Sequence, residues 1–177
     1  MQQELVDIVD ETGKVLHQAF KHEAHQHGWL HKTVIGSVRL NGQWMLIRQA
    51  ADRQDAGQYV WPVGGHVQAG EGDVEALIRE AKEEIGVQQF QHTFKGAARF
   101  HRQIIGRDEN HLFLLYEITT KDTITPGPEV ESHRTFNKAE LTRTIGNAPH
   151  QFGDAYFFVL EHFYPELLPN SYRPRHK

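Results

Sequence analysis

The sequence predicts a mixed α/β (α+β) fold, and three observations carry that expectation. The first is a hairpin signal: TVIGSVRL and QWMLIRQ flank Asn41-Gly42, a two-residue turn that joins antiparallel strands. The second is an amphipathic stretch at 73–85, closed by Gly86 where a left-handed cap is wanted. The third is order. Strands, one helix, further strands and a C-terminal helix do not alternate as a doubly wound fold would.

Taken in order, residues 4–9 (ELVDIV) read as a short strand, followed by turn chemistry at Asp10-Glu11-Thr12-Gly13. The polar, histidine-rich segment 14–31 has only weak periodicity and receives no element. After the hairpin, residues 50–58 form an exposed loop. YVWPVGG then carries Pro62, Gly64 and Gly65, marking a strand end where backbone comes close to something. In the helix at 73–85, Asp73 is the expected N-cap. Val74, Ile78, Ala81 and Ile85 form the expected packing stripe, with Leu77 beside it. Glu80, Glu83 and Glu84 then lie about a third of a turn or more from that stripe.

Downstream, TFKGAARFHRQII and NHLFLLYEIT are two strands joined across Gly106-Arg107-Asp108-Glu109, and EVESHRTF is an edge strand. A last helix at about 152–163 keeps Phe152, Tyr156, Val159, Leu160 and Phe163 at helical spacing until Pro165 stops it. Trp44 and Trp61 are expected in the core. The whole chain, 1–177, reads as one domain, with an N-terminal strand and histidine-rich segment at 1–30 and a loose tail at 166–177.

Composition narrows the function classes. A formal charge of −4 with no basic stripe argues against nucleic acid held by bulk electrostatics. The chain has no cysteine, which excludes disulfides, thiolate zinc sites and a cysteine nucleophile, and fits a reducing compartment. The N-terminus lacks the basic and apolar regions of a signal peptide. No run approaches the roughly 20 apolar residues of a membrane span. A cytoplasmic protein with no membrane partner is expected; nothing indicates its oligomeric state.

The chemistry is concentrated at Gly65–Val87. Glu80, Glu83 and Glu84 stand three and four residues apart, so a helix crowds their charges on one face. Such crowding is unfavourable unless a cation sits among them, most simply a divalent metal with a substrate phosphate as its other ligand.

Gly65, Glu71, Arg79, Glu80, Glu83, Glu84 and Gly86 match every fixed position of the Nudix box. With the surrounding strand order, the chain resembles the Nudix (MutT-like) hydrolase superfamily from about residue 30 to 165. The resemblance implies an α/β/α sandwich with a mixed β-sheet. It implies a magnesium-dependent hydrolase, with manganese as a possible substitute, that cleaves a diphosphate linkage in a nucleoside diphosphate joined to another moiety X. Glu80, Glu83 and Glu84 correspond to the family's metal-binding and catalytic carboxylates, and Arg79 to the arginine that orients them. Gly64 resembles the position whose carbonyl reaches the metal, Glu117 a further acidic ligand, and Glu71 the residue that steadies the loop and helix. Glu80 is the first choice of general base, with loop acids such as Glu109 as alternatives. Arg48 and Arg53, beside the expected mouth, suit substrate phosphate. Specificity is expected from loops 50–58, 104–110 and 120–130.

A narrower resemblance runs through KHEAHQHGWLHKTV and PVGGHVQAGE to the branch containing isopentenyl-diphosphate isomerase and its hydrolase-like relatives. It implies a metal at positions resembling His25, His31 and His66, with acids on the strand of Glu117. The isomerase also needs a catalytic cysteine, which this chain lacks. The alternatives to a hydrolase are therefore an isomerase-like enzyme, disfavoured by the missing cysteine, and a nucleotide-binding module, which would be expected to lose box carboxylates.

Overall fold

Asn41 and Gly42 take positive φ angles of 50° and 78°, so the expected hairpin turn forms and joins β3 (His31–Leu40) to β4 (Gln43–Gln49). The computed structural model describes residues 4–104 and 106–176. Ile105, which the sequence assigns to a strand, lies outside the described residues, as do 1–3 and 177.

Strand β3 organises the sheet. It runs parallel to β8 (Arg107–Thr120) from His31 to Arg39 and antiparallel to β6 (Val63–His66) from Thr33 to Gly36. β7 (Phe90–Ile104) forms a long hairpin with β8, while β4 carries β5 (Tyr59–Val60) and β9 (Val130–Phe136). The sheet is mixed. Alternation along β3 and β8 sends their side chains to two different cores. Val34, Val38, Leu114 and Ile118 pack under α2 (Asp73–Ile85). Ile35, Phe113 and Leu115 pack with Phe157 and Leu160 of α4 (Asp154–Phe163), beneath Trp44 and Trp61. Helices therefore cover both faces, the sandwich that the family resemblance implies.

The segment left without an element is β2 (Val15–Phe20) followed by α1 (Lys21–His27). β2 pairs antiparallel with β1 (Leu5–Val9), and α1 ends at Gly28 in a left-handed cap, φ 64°. Only Ala24 of α1 is buried, so little apolar periodicity was available to read. Helix α3 (Lys138–Asn147) was also missed. Its signal is present: Asn137 caps the Glu140 N–H at 2.8 Å, and Leu141 and Ile145 are buried one turn apart.

Two local expectations are corrected. The N-cap of α2 is Gly72, whose N–H donates to Glu75 at 2.8 Å, while Asp73 lies inside the helix and holds Lys32 at 3.0 Å. The buried face of α2 is Ala76, Leu77, Glu80, Ala81 and Ile85, whereas Val74 and Ile78 are exposed. The C-terminal segment is tied down rather than loose. Glu161 accepts from the Arg175 and His176 backbone, and Tyr172 stacks on Phe157.

Candidate active site

The revised face of α2 changes the meaning of its carboxylates. Glu80 is buried with the apolar stripe rather than standing beside it, because the helix turns that side toward β6. At the facing position of β6 stands Gly65, where a Cβ would lie 2.0 Å from Glu80 Oε1. The strand passes so close to the carboxylate that only glycine fits. One residue earlier, the Gly64 N–H donates to Glu84 Oε2 at 3.1 Å.

Arg79 fastens this helix to the loop before it. Its Nε and Nη2 donate to the two oxygens of Glu71 at 2.9 Å each, and Nη2 also donates to the His66 carbonyl at 2.9 Å. Its Nη1 reaches Glu80 at 2.5 Å and lies 3.7 Å from Glu83. Glu71 in turn accepts the Gln68 N–H at 2.9 Å. Glu83 is the most exposed of the three box carboxylates. Burial pushes the Glu80 carboxyl above the usual range, against the pull of Arg79. Burial, then the Glu80 charge, pushes Glu84 well above it, opposed only by the Gly64 N–H. Of the two enclosed carboxylates, Glu80 shares its arginine with Glu71, and Glu84 is held by the Gly64 N–H. Hard oxygen donors short of positive charge suit a magnesium-type cation, so the residues fit the implied metal.

The histidines form a second cluster on the other face of the sheet. His25 of α1, His31 of β3, His66 of β6 and His111 of β8 place one ring nitrogen each within 4.8 Å of all the others. His31 and His111 are register partners on the parallel strands. The Nδ1 of His31 hydrogen-bonds the Trp29 carbonyl at 2.8 Å, leaving Nε2 as acceptor; His31 Nε2 and His66 Nε2 are buried with no partner among the described residues. Burial, then His31, lowers the His25 imidazole to about 4, and burial lowers His31, His66 and His111 as well. The rings are therefore neutral at pH 7 and ready to ligate. Four imidazoles suit zinc, copper or nickel better than magnesium. The isomerase resemblance points to three of these histidines, His25, His31 and His66, and to acids rather than His111 on the strand of Glu117. Its signal was parity: His111 shares a face of β8 with Phe113 and Leu115.

A cavity of about 420 Å³ connects the two clusters, with Gly64, Gly65 and Glu84 lining one part and His25, His66 and His111 another. Arg53, Arg102 and Arg107 also line it. Arg53 pairs with Glu129 at 2.6 Å. Arg102 holds buried Glu109 at 2.8 Å and Arg107 approaches it at 3.7 Å, so Glu109 sits between cations at the histidine end. Two expected site residues are not brought to the cavity. Arg48 lies over the Tyr59 ring at 4.8 Å. Glu117 shares its face of β8 with the lining residues His111 and Phe113 but stands farther along the strand, where it accepts from Tyr164 at 3.4 Å.

The NUDIX domain family model matches residues 29–158. An uncharacterized Nudix hydrolase of Streptomyces coelicolor is 30% identical over 158 residues, covering 81% of this chain and 80% of that protein. The isopentenyl-diphosphate Delta-isomerase of Photobacterium profundum is 26% identical over 175 residues, covering 93% and 97%. Among solved structures, a Deinococcus radiodurans protein superposes with a TM-score of 0.70 at 22% identity, covering 89% of this chain and 98% of that one. With its box complete and folded as described, the chain belongs to the Nudix family, as a hydrolase of phosphoanhydride bonds.

Proposed function

We propose that this hydrolase is metal-dependent and cleaves the diphosphate of a nucleoside diphosphate linked to a further group X. The observation that carries the reading is the pair Glu80 and Glu84, enclosed beside Gly64 and Gly65, with Arg79 on Glu80 and the Gly64 N–H on Glu84. Glu80, Glu83, Glu84 and the Gly64 carbonyl would hold magnesium, or manganese in its place. When bound, that ion neutralises phosphate charge and lowers the pKa of a water.

The protein's own groups do the rest. Arg79 fixes the rotamer of Glu80 by anchoring to Glu71 and the His66 carbonyl, so the carboxylate needs no reorganisation during the reaction. Glu80, with its pKa raised by burial, is suited to take a proton from the attacking water. Arg53, at the same cavity, is placed to hold a phosphate oxygen, at the expense of its pair with Glu129. The products are a phosphomonoester and a phosphorylated X. The missing cysteine supports a cytoplasmic setting.

The histidine tetrad favours one addition. We assign it as a second metal centre of transition-metal type in the same cavity, consistent with the likeness to the isomerase. Isomerisation remains disfavoured because the chain has no cysteine. The test is a panel of nucleoside diphosphate sugars, dinucleotides, nucleoside triphosphates and isopentenyl diphosphate in magnesium. Metal-dependent phosphate release supports the hydrolase; formation of the dimethylallyl isomer without release overturns it.

A further inference from the structure

Strand β6, Val63–His66, belongs to both the carboxylate site and the histidine tetrad. Among the described residues it pairs with β3 alone, from Gly36–Val63 to Thr33–His66. Gly64 and His66, two residues apart, turn their peptide groups to the same edge of the strand. There the Gly64 N–H donates to Glu84 at 3.1 Å, and the His66 carbonyl accepts from Arg79 Nη2 at 2.9 Å. Between them, Gly65 sits against Glu80. Consecutive residues of one short strand thus touch Glu84, Glu80 and Arg79.

Gly64 and Gly65 have no side chains to pack, so side chains anchor β6 only at its ends. Val63 is fully buried at one end. At the other is His66, whose Nε2 has no hydrogen-bond partner among the described residues. Coordination within the tetrad would hold that ring. A ring held in place fixes its own main chain, and the His66 carbonyl in turn fixes Arg79. Arg79 reaches Glu80 at 2.5 Å. Ring, carbonyl, guanidinium and carboxylate form one continuous link between the two clusters.

We infer that His66 is a positioning residue for hydrolysis: a transition metal on its ring sets, through its carbonyl and Arg79, the carboxylate geometry and so the affinity for magnesium. This rests on reading the tetrad as a metal centre and the carboxylates as a magnesium site. The sign of the effect separates the link from electrostatics. Two dications facing one cavity repel, so charge alone weakens magnesium when the tetrad is filled. Ordering the shared strand strengthens it. Linkage is reciprocal, so magnesium must tighten the tetrad's metal by the same factor.

The test is calorimetry on the full chain, with zinc as the tetrad probe and magnesium as the carboxylate probe. One equivalent of zinc should lower the magnesium Kd about tenfold, and saturating magnesium should lower the zinc Kd equally. Zinc should also slow hydrogen exchange of the Gly64 amide. In zinc-free protein, His66→Ala should keep the wild-type magnesium Kd, because the carbonyl remains. With zinc added, its tenfold gain should be absent, even where the other three rings still bind zinc. His111→Ala, which leaves β6 unaltered, should lose the gain as well. A magnesium Kd that zinc leaves unchanged or raises would overturn the inference and leave the tetrad standing. Poor magnesium binding by zinc-free His66→Ala would also overturn it, by making the ring a packing element. Failure of the wild type to bind zinc would remove the tetrad reading and the inference together; failure to bind magnesium would remove the carboxylate reading with it.

Discussion

Gly65 and Glu80 occupy one another's space: a Cβ on the glycine would stand 2.0 Å from the carboxylate oxygen. The contact joins strand β6 to helix α2 at the point where the proposed chemistry needs a fixed carboxylate. Because the clash is with the end of a side chain, Gly65→Ala should fold, with Glu80 displaced from Arg79. Displacements near 1 Å cost about 10²-fold in rate. The check is kcat against Tm: a fall on that scale with a nearly unchanged melt.

Arg79 and Glu71 form a two-pronged pair that sets the position of Glu80 from a distance. Arg79→Lys keeps the charge but cannot reproduce the fork. It should lower kcat by about 10–100-fold, the usual range for a group that orients a ligand, and Glu71→Gln should do likewise. In the double variant the losses should be far from additive, because both act through the same carboxylate.

Glu84 sacrifices stability for function. Its folded-state pKa lies well above the unfolded value, so between the two the folded chain binds more protons. The metal-free protein therefore loses stability as pH rises from the carboxylate range upward. Glu84→Gln keeps an acceptor for the Gly64 N–H and removes the charge. It should raise the metal-free Tm at pH 8 and abolish any stabilisation by magnesium. Thermal melts with magnesium and with chelator check both.

The histidine tetrad has the opposite pH sign. His25 titrates near 4 folded and 6.5 unfolded, so acidification through that window favours the unfolded chain. In the Glu84→Gln background, Tm should fall between pH 7 and pH 5. Zinc at stoichiometric concentration should raise Tm at pH 7, and the rise should vanish in His111→Ala. Metal content by mass spectrometry is the second readout.

Legibility in the sequence followed the strength of local signals. Asn41-Gly42 demanded positive φ at both positions and was read correctly to the residue. The box was readable because its spacing is fixed by contacts: Arg79 must reach Glu71, and Gly65 must make room for Glu80. The burial of Glu80 was not readable, since a helical period cannot say which of two adjoining faces a sheet will cover; Val74 and Ile78 looked the better stripe and are exposed. Glu117 and Arg48 were chosen by position along the chain; Glu117 stands farther along β8 than the lining residues, against Tyr164, and Arg48 lies over the Tyr59 ring. His111 and the other histidines stand on strands and a helix far apart in sequence, so only the fold brings them together.

The most direct test of the account is the rate of diphosphate hydrolysis in magnesium by the wild type and by Glu80→Gln and Glu84→Gln, on whichever panel substrate is turned over. Each variant should fold and lose about 10³-fold in kcat, since several kcal/mol of charge stabilisation depends on the pair. Wild-type rates in either variant, or full activity of the wild type in excess chelator, would contradict it.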